Sequence, residues 1–526
     1  MKHDSRNLKY GSTAMILSVI LLAAIILVNF VFSALSSKYA FYTDLTSSST
    51  YTLSDEVKVV LSDVTEDVRI IFCHDRDYIE SNSRMYDILM TAEYMADEFE
   101  WLTVDFINIM DKPKSVAKYK TSQNDPVNQT DIIIESGDEW KKIGWTSFYV
   151  TDTDAAATIW AVKAEETFAS SILSVTAAEK PIAYFTTGHE ESIPAHLVNT
   201  VVMAGYEVKQ IDLIKEEISA DARIIIVSGP KKDFSLGHGT TEKGNEISKL
   251  DKFLSQDSGS MMVFLDPYAD DLPTLEGYLE EWGILFDNNI VKDEVESIDE
   301  SNIAVIGQYT TGETLGAKVI NELATLGTKS KTIFESAGTI SIAPKFGEER
   351  ADDEQSKTGL GDPTGSYGAT TAEGGVRDVS AVFTTSSNAV SFSSQGENQE
   401  STEAQDKFLM TISRQRITRD PNHQLDDYPE QRIQNSYVLA ANTMCFAEKG
   451  YIESNVYANK DIIYAALKQM GHERVPIGIE FKIYNNNKIE DITTSQANTV
   501  TTMLVTVLPA AIAITGLVVC IRRRYK

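Results

Sequence analysis

Short apolar runs alternate with amphipathic segments through most of the chain, and this alternation constrains the fold more than any other feature. The apolar runs show little internal alternation, which is typical of parallel strands covered by helices on both faces. Strands are predicted at residues 68–72, 102–109, 145–150, 182–185, 223–227 and 261–265, and helices at 83–99, 194–203 and 245–254. The sequence therefore predicts an α/β protein whose central part is a flavodoxin-like, doubly wound domain.

Two longer apolar runs lie near the ends of the chain, at residues 14–32 and 503–521. Each is long enough to cross a bilayer as a helix, and the first is too long for a typical cleaved signal. Basic residues precede the first run and follow the second, namely Lys2, Arg6, Lys9 and Arg522 to Arg524. By the positive-inside rule, we predict a two-pass cell-membrane protein with both termini in the cytoplasm and a large domain outside.

The charge of the chain limits its partners. The 526 residues carry a formal net charge of −30, which repels nucleic acid and anionic lipid headgroups. We therefore expect no nucleic-acid partner.

The three cysteines, Cys73, Cys445 and Cys520, are too few and too scattered for a disulfide framework or a thiolate metal site.

The length exceeds what one core normally organises, so several domains are expected. In chain order, the prediction is a cytoplasmic tail (1–10), a transmembrane helix (11–34), an external α/β domain (35–164), a flavodoxin-like domain (165–346), a Gly/Thr/acidic-rich loop or linker (347–378), a C-terminal segment completing the α/β fold (379–498), a transmembrane helix (500–521) and a basic cytoplasmic tail (522–526).

Polar residues follow several predicted strands of the central domain, where doubly wound folds bind their ligands. The sequence AYFTTGHEES, residues 183–192, places a histidine and two glutamates directly after a strand. The candidate ligand or partner contacts are Thr187, Gly188, His189, Glu190, Glu191, Gly229, Asp266 and Tyr268. Three interpretations of AYFTTGHEES stay open: a turn with solvated charges, a ligand or partner contact, and a catalytic or metal site.

The common catalytic signatures are absent from the sequence. His189 and Glu190 would begin a zinc-protease motif only if residue 193 were histidine, but Ile193 and then Pro194 follow. His196 lies seven residues beyond His189 across that proline, which is a weak metal spacing. No phosphate-binding loop and no Gly-x-Ser-x-Gly motif occurs. These observations predict a non-catalytic protein with no metal and no cofactor.

Several motifs occur in the order found in a known family. They include the segments 44–46 and 51–54, a Glu-containing helix at 165–176, Thr187 to Glu191, Gly229-Pro230, 250–254, 265–268 and the final basic block. Together they resemble the membrane-anchored auxiliary proteins of ABC transporters typified by the gliding-motility component GldG. Residues Thr187 to Glu191 are similar to the family's Thr-Gly-His-Gly-Glu, with Glu190 at the place of the second glycine.

The resemblance implies a central region related to the amidotransferase-like fold and partnership with a separate permease and ATPase. It implies no established catalysis and no particular cargo. We therefore expect a non-catalytic, membrane-anchored accessory subunit of an ABC transporter, whose external domain recognises cargo or a partner. The competing hypothesis is a membrane-anchored surface hydrolase or metal-dependent enzyme that uses the crevice near His189.

Overall fold

The computed structural model describes residues 53–484, together with Ala23 and Leu27. Within that range it leaves out residues 121–124, 152–158, 178–179, 237–244, 256–258, 325–330, 348–365, 371–375, 395–401, 404–406, 418–433, 455 and 472–473. Residues 51–481 form one compact unit, while residues 1–50 and 482–526 are assigned to another. The described fold is mixed α/β.

The described helices are α1 (Asp55–Val60), α2 (Arg76–Ser81), α3 (Ser83–Glu98), α4 (Ala164–Val175), α5 (Ala195–Met203), α6 (Glu246–Leu254), α7 (Pro273–Glu280), α8 (Leu315–Ala324), α9 (Pro344–Gly347), α10 (Lys449–Ile452) and α11 (Asn459–Gly471). Short 3₁₀ helices occur at Pro113–Tyr119, Trp145–Phe148 and Cys445–Ala447.

The strands of the first half are β1 (Val68–Phe72), β2 (Leu102–Phe106), β3 (Asp131–Ser136), β4 (Glu139–Gly144), β5 (Tyr149–Thr151), β6 (Ile159–Val162), β7 (Ile182–Thr186), β8 (Glu207–Ile211), β9 (Ala222–Ser228) and β10 (Ser260–Phe264). Those of the second half are β11 (Ile284–Phe286), β12 (Asn289–Lys292), β13 (Ala304–Ile306), β14 (Gln308–Tyr309), β15 (Ile333–Glu335), β16 (Ile340–Ile342), β17 (Ser366–Thr370), β18 (Val376–Thr384), β19 (Val390–Ser393), β20 (Thr402–Glu403), β21 (Phe408–Ile417), β22 (Gln434–Ala441) and β23 (Lys482–Ile483).

The N-terminal sheet has the order β2-β1-β3-β4. Strands β1 and β2 are parallel, whereas β3 runs antiparallel to both β1 and β4. The apolar stretches Ile70–Phe72 and Ile132–Ile134 are fully buried at its centre. The segment 145–150, which we predicted to be a strand, instead begins with the 3₁₀ helix Trp145–Phe148, and only Tyr149–Thr151 is extended.

The larger sheet has eleven strands and contains a parallel core. Its parallel strands follow the order β8-β7-β9-β10-β22. Renumbered along the chain, this order is 2-1-3-4-5, one of the two common doubly wound arrangements. The carboxyl ends of these strands therefore lie along one edge of the sheet.

Beyond β22 the sheet becomes antiparallel. Strand β21 pairs antiparallel with β22 on one side and with β18 on the other, and β17 pairs with β18. Strand β17, at Ser366–Thr370, lies within the segment predicted to be a loop or linker. The sheet is thus mixed, and its antiparallel part lies beside the last parallel strand.

Helices cover both faces of the parallel core. Successive strand residues point to opposite faces, so neighbouring residues of β9 pack against different helices. Ile224 and Ile226 of β9 belong to one apolar cluster with residues of α5, α8 and α11. Ile225 and Val227 belong to a second cluster with residues of α6 and α7. The continuous apolar run of β9 therefore reflects burial on both faces.

No helix among the described residues is long and apolar enough to cross a membrane. This finding corrects the predicted fold class, which included two transmembrane helices, and the two-pass membrane localisation that depended on it. The two apolar runs at 14–32 and 503–521 lie outside the described residues, except for Ala23 and Leu27, which are helical.

Candidate functional site

The candidate residues lie at the carboxyl ends of three neighbouring parallel strands. Residues 187–191 follow β7, Gly229 follows β9, and Asp266 and Tyr268 follow β10. The structure thus places all of them on one edge of the sheet, but their side chains fall into two groups. The first is buried around His189, while the second ranges from the buried Gly229 through the half-buried Asp266 to the exposed Glu190 and Tyr268.

The turn after β7 depends on unusual backbone angles. Gly188 has φ +116°, and Glu190 has φ +60°. Both values are in the left-handed region that favours glycine. The backbone of the turn is bonded on both sides, because Thr187 N–H donates to Ile211 and the carbonyl of His189 accepts from the N–H groups of Lys231 and Lys232.

The imidazole of His189 is buried and held by two carboxylates. Nδ1 lies 3.3 Å from Glu191 Oε1, and Nε2 lies 3.1 Å from Glu246 Oε2. The ring of Phe234 stacks on the imidazole with a centroid distance of 4.1 Å and an interplanar angle of 7°. Because only 4% of His189 is exposed, the interpretation of this turn as one with solvated charges is wrong for its histidine.

The two glutamates are as buried as the histidine. Glu191 Oε2 also accepts the N–H of His189 at 2.8 Å, and Glu246 Oε2 accepts the N–H of Ser235 at 2.9 Å. Glu246 is the first residue of α6, where the helix dipole favours a negative charge. Its other oxygen, Oε1, has no hydrogen-bond partner among the described residues.

The electrostatics of this cluster favour a protonated histidine. Burial by itself would lower the pKa of His189, but its hydrogen bonds to Glu191 and Glu246 outweigh burial and raise the pKa to about 9. Burial likewise disfavours ionisation of Glu191, but the hydrogen bond with His189 keeps the pKa of that carboxyl below its ordinary value. At neutral pH the cluster contains an imidazolium between carboxylates.

Glu190 differs from its neighbours because its side chain is exposed. Its Oε1 lies 2.6 Å from Lys232 Nζ, and both side chains are more than half exposed. The hydrogen bond from Lys232 lowers the pKa of Glu190. The positive φ of Glu190 lies in the left-handed region that favours glycine.

The remaining candidates do not contact His189. Asp266 Oδ1 accepts the N–H of Tyr268 at 3.0 Å, which closes a turn after β10. Tyr268 is 59% exposed. Gly229 has φ +55°, and a Cβ placed on it would lie 2.8 Å from Met444 Cε. Gly229 therefore serves backbone geometry and close packing.

Within the part of the chain that the structure describes, no group of three or more His, Cys, Asp or Glu side chains is arranged to hold a metal ion. His196, the other histidine considered for a metal site, lies in a different place. Its Nδ1 is 3.1 Å from Glu453 Oε1, in a cleft between helices.

Sequence reasoning missed Phe234 and Glu246, which complete the His189 cluster. They lie 45 and 57 residues beyond His189. Only Glu246 lies in an element predicted from the sequence, namely the helix predicted to begin at Asn245. It also missed a buried ion pair in the helical cleft, between Lys460 Nζ and Glu166 Oε1 at 2.8 Å.

No family model matches the chain, and no curated protein matches it. Among solved structures, the chain is similar to one described as the mmIFT52 N-terminal domain, with 12% sequence identity and a TM-score of 0.33. The match covers 55% of this chain and 96% of that chain. A similarity this low carries no argument about fold or function.

Proposed function

We propose that this chain is a non-catalytic accessory subunit of an ABC transporter, which recognises a partner or cargo through the carboxyl edge of its parallel sheet. The observation that supports the non-catalytic part of the proposal is that both ring nitrogens of His189 have partners. Both ring nitrogens are bonded to buried carboxylates, so neither is presented to a substrate.

The protonation state of the cluster supports the same proposal. A general base works best with a pKa near the operating pH and must reach the proton that it removes. The pKa of His189 is about 9, and its ring is stacked under Phe234. The imidazolium therefore joins the turn after β7 to the start of α6, which is a structural task.

Recognition is assigned to three exposed residues and the half-buried Asp266 on the same edge. We define the recognition surface as Glu190, Lys232, Asp266 and Tyr268. It follows three neighbouring strands and offers both signs of charge together with a largely exposed tyrosine. Tyrosine is enriched at protein interfaces and among the residues that dominate their binding energy.

The assignment to ABC transporters depends on the ordered motifs that resemble the GldG-type auxiliary proteins. Because the sequence contains no phosphate-binding loop, a transport role requires a separate ATPase. The proposed partners are therefore a permease and an ATPase.

The test is affinity purification of the tagged full-length chain from its own cells, followed by identification of stoichiometric partners. The proposal predicts recovery of a permease together with an ATPase. Recovery of the chain alone, under conditions that preserve other transporter complexes, would contradict it. Metal analysis of the same sample tests the competing enzyme hypothesis: stoichiometric zinc that disappears in His189→Gln would favour that hypothesis.

A further inference from the structure

A second candidate site is the cleft between α4, α5 and α11, which the proposed function does not use. Its empty space, counted together with open solvent, is about 400 Å³. Its lining combines charged side chains with apolar ones. This combination is typical of sites for small molecules, in which a few polar groups orient an otherwise apolar ligand.

The first carboxylate in the cleft, that of Glu166, is already occupied. Its Oε1 accepts a hydrogen bond from Lys460 Nζ at 2.8 Å and another from Tyr464 OH at 3.1 Å. Glu166 is only 4% exposed, and Tyr464 is fully buried. The pair of Glu166 and Lys460 is therefore a preformed and neutral part of the wall.

The second carboxylate, that of Glu453, is also paired. Its Oε1 lies 3.1 Å from His196 Nδ1, and its Oε2 lies 3.8 Å from Lys449 Nζ. Lys163 also lines the cleft, but its ammonium has no ion-pair partner among the described residues. The lining therefore holds two ammonium groups and two carboxylates, and Lys163 is the ammonium that remains able to pair with a ligand.

The lining also contains apolar side chains. They are those of Val150, Met203, Ile452 and Phe481. Val150, Ile452 and Phe481 are each less than 5% exposed, so they are held in place by the surrounding core. An apolar group of a few carbon atoms that replaces water here gains hydrophobic free energy.

We propose that this cleft binds a small organic carboxylate, whose charged end pairs with Lys163 and whose short branched apolar tail contacts Met203, Ile452 and Phe481. An organic cation is a poorer match because both carboxylates in the lining already have partners. Glu166 pairs with Lys460, and Glu453 contacts His196 and Lys449. A divalent cation is also a poorer match, since the described residues offer no group of three metal-ligating side chains. The site is separate from the recognition surface, so either proposal can fail without the other.

The test is isothermal titration calorimetry of the purified full-length chain at pH 7 with three probes. The proposal predicts saturable binding of 4-methylpentanoate and no binding of 3-methylbutylamine, which has a similar tail and the opposite charge. It also predicts that inorganic phosphate binds more weakly than 4-methylpentanoate. Absence of carboxylate binding, equal binding of the amine, or phosphate binding at least as tight as that of the carboxylate would each overturn it.

Two variants assign the binding to this cleft. Lys163→Met should raise the Kd for 4-methylpentanoate about tenfold or more, because it removes a charge-assisted contact. Lys252→Met, at an exposed lysine of α6, is the matched control and should leave the Kd unchanged. Met203→Trp should abolish binding by filling the cleft, and it provides a second test if Lys163→Met does not fold. Unchanged binding in a folded Lys163→Met or Met203→Trp variant would overturn the proposal.

Discussion

At the scale of single residues, His189 is central because its imidazole lies between the buried carboxylates of Glu191 and Glu246. Removing one partner from a buried ion pair typically costs about 3 to 5 kcal/mol, since the remaining charge stays buried without compensation. The position of the histidine immediately after β7 suggested a solvated side chain whose removal changes stability little. Its burial reverses that expectation.

We predict that His189→Ala lowers the free energy of unfolding by about 3 kcal/mol. The matched control is Glu190→Gln, which removes an exposed charge from the next residue and should change stability by less than about 1 kcal/mol. Urea unfolding of both variants and the parent provides the measurement. Equal stability of the two variants would contradict the description of the cluster.

The same cluster predicts a dependence of stability on pH. Because the folded state raises the pKa of His189 from 6.5 to about 9, it binds the proton more tightly than the unfolded chain does. The resulting stabilisation is fully present below about pH 6.5 and is lost as the pH rises through about 9. The loss attributable to His189 should be on the order of 3 kcal/mol between these limits. His189→Gln should show a much flatter profile over this range.

At the scale of secondary-structure elements, close packing of helices on the large sheet determines where side chains are tolerated. Gly316 lies in α8, where its N–H donates to Ser380 Oγ at 2.8 Å. A Cβ on Gly316 would lie 1.8 Å from the carbonyl oxygen of Ala381 in β18. The helix therefore approaches the strand backbone more closely than any larger residue allows.

This contact predicts opposite results for one substitution in two helices. Gly316→Ala should destabilise the protein by about 3 kcal/mol or more, because α8 must move away from β18. Gly277→Ala, in α7, should stabilise it by about 0.5 to 1 kcal/mol, because a Cβ there meets nothing within 4 Å and alanine favours helix. Urea unfolding of both variants measures the difference. Similar values would contradict the packing of α8 on β18.

The sequence predicts elements of this kind better than it predicts their pairing. The apolar runs of β7, β9 and β10 identify strands locally. Asn245 signals the start of α6, because its Oδ1 accepts the backbone N–H of Ser248 and so caps the helix. Strand β22 lies between β10 and β21. Its pairing with β10 joins segments about 175 residues apart along the chain, and no local sequence pattern indicates that pairing.

The candidate site shows the same limit. Glycine at residue 188 indicates a turn, which the structure confirms through its positive φ. The burial of His189 could not be inferred, because it depends on Phe234 and Glu246 from other parts of the chain. Charged residues are usually exposed, so their local sequence favoured the wrong environment.

At the scale of the whole molecule, we propose that one edge of the parallel sheet carries two tasks. The buried cluster of His189, Glu191 and Glu246 fixes the turn after β7, while the recognition surface of Glu190, Lys232, Asp266 and Tyr268 stays available to a partner. Tyr268 is the largest exposed side chain in that surface. It is therefore the residue where contact with a partner can be detected most directly.

The most direct measurement is site-specific photo-crosslinking in the protein's own cells, with a photoreactive phenylalanine analogue at residue 268. A second position, Val295, is 66% exposed and lies outside the recognition surface, so it provides the matched control. We predict that residue 268 crosslinks to a transporter permease or ATPase and that residue 295 does not. Crosslinking to these subunits from residue 295 alone, or from neither position in a folded protein, would contradict it.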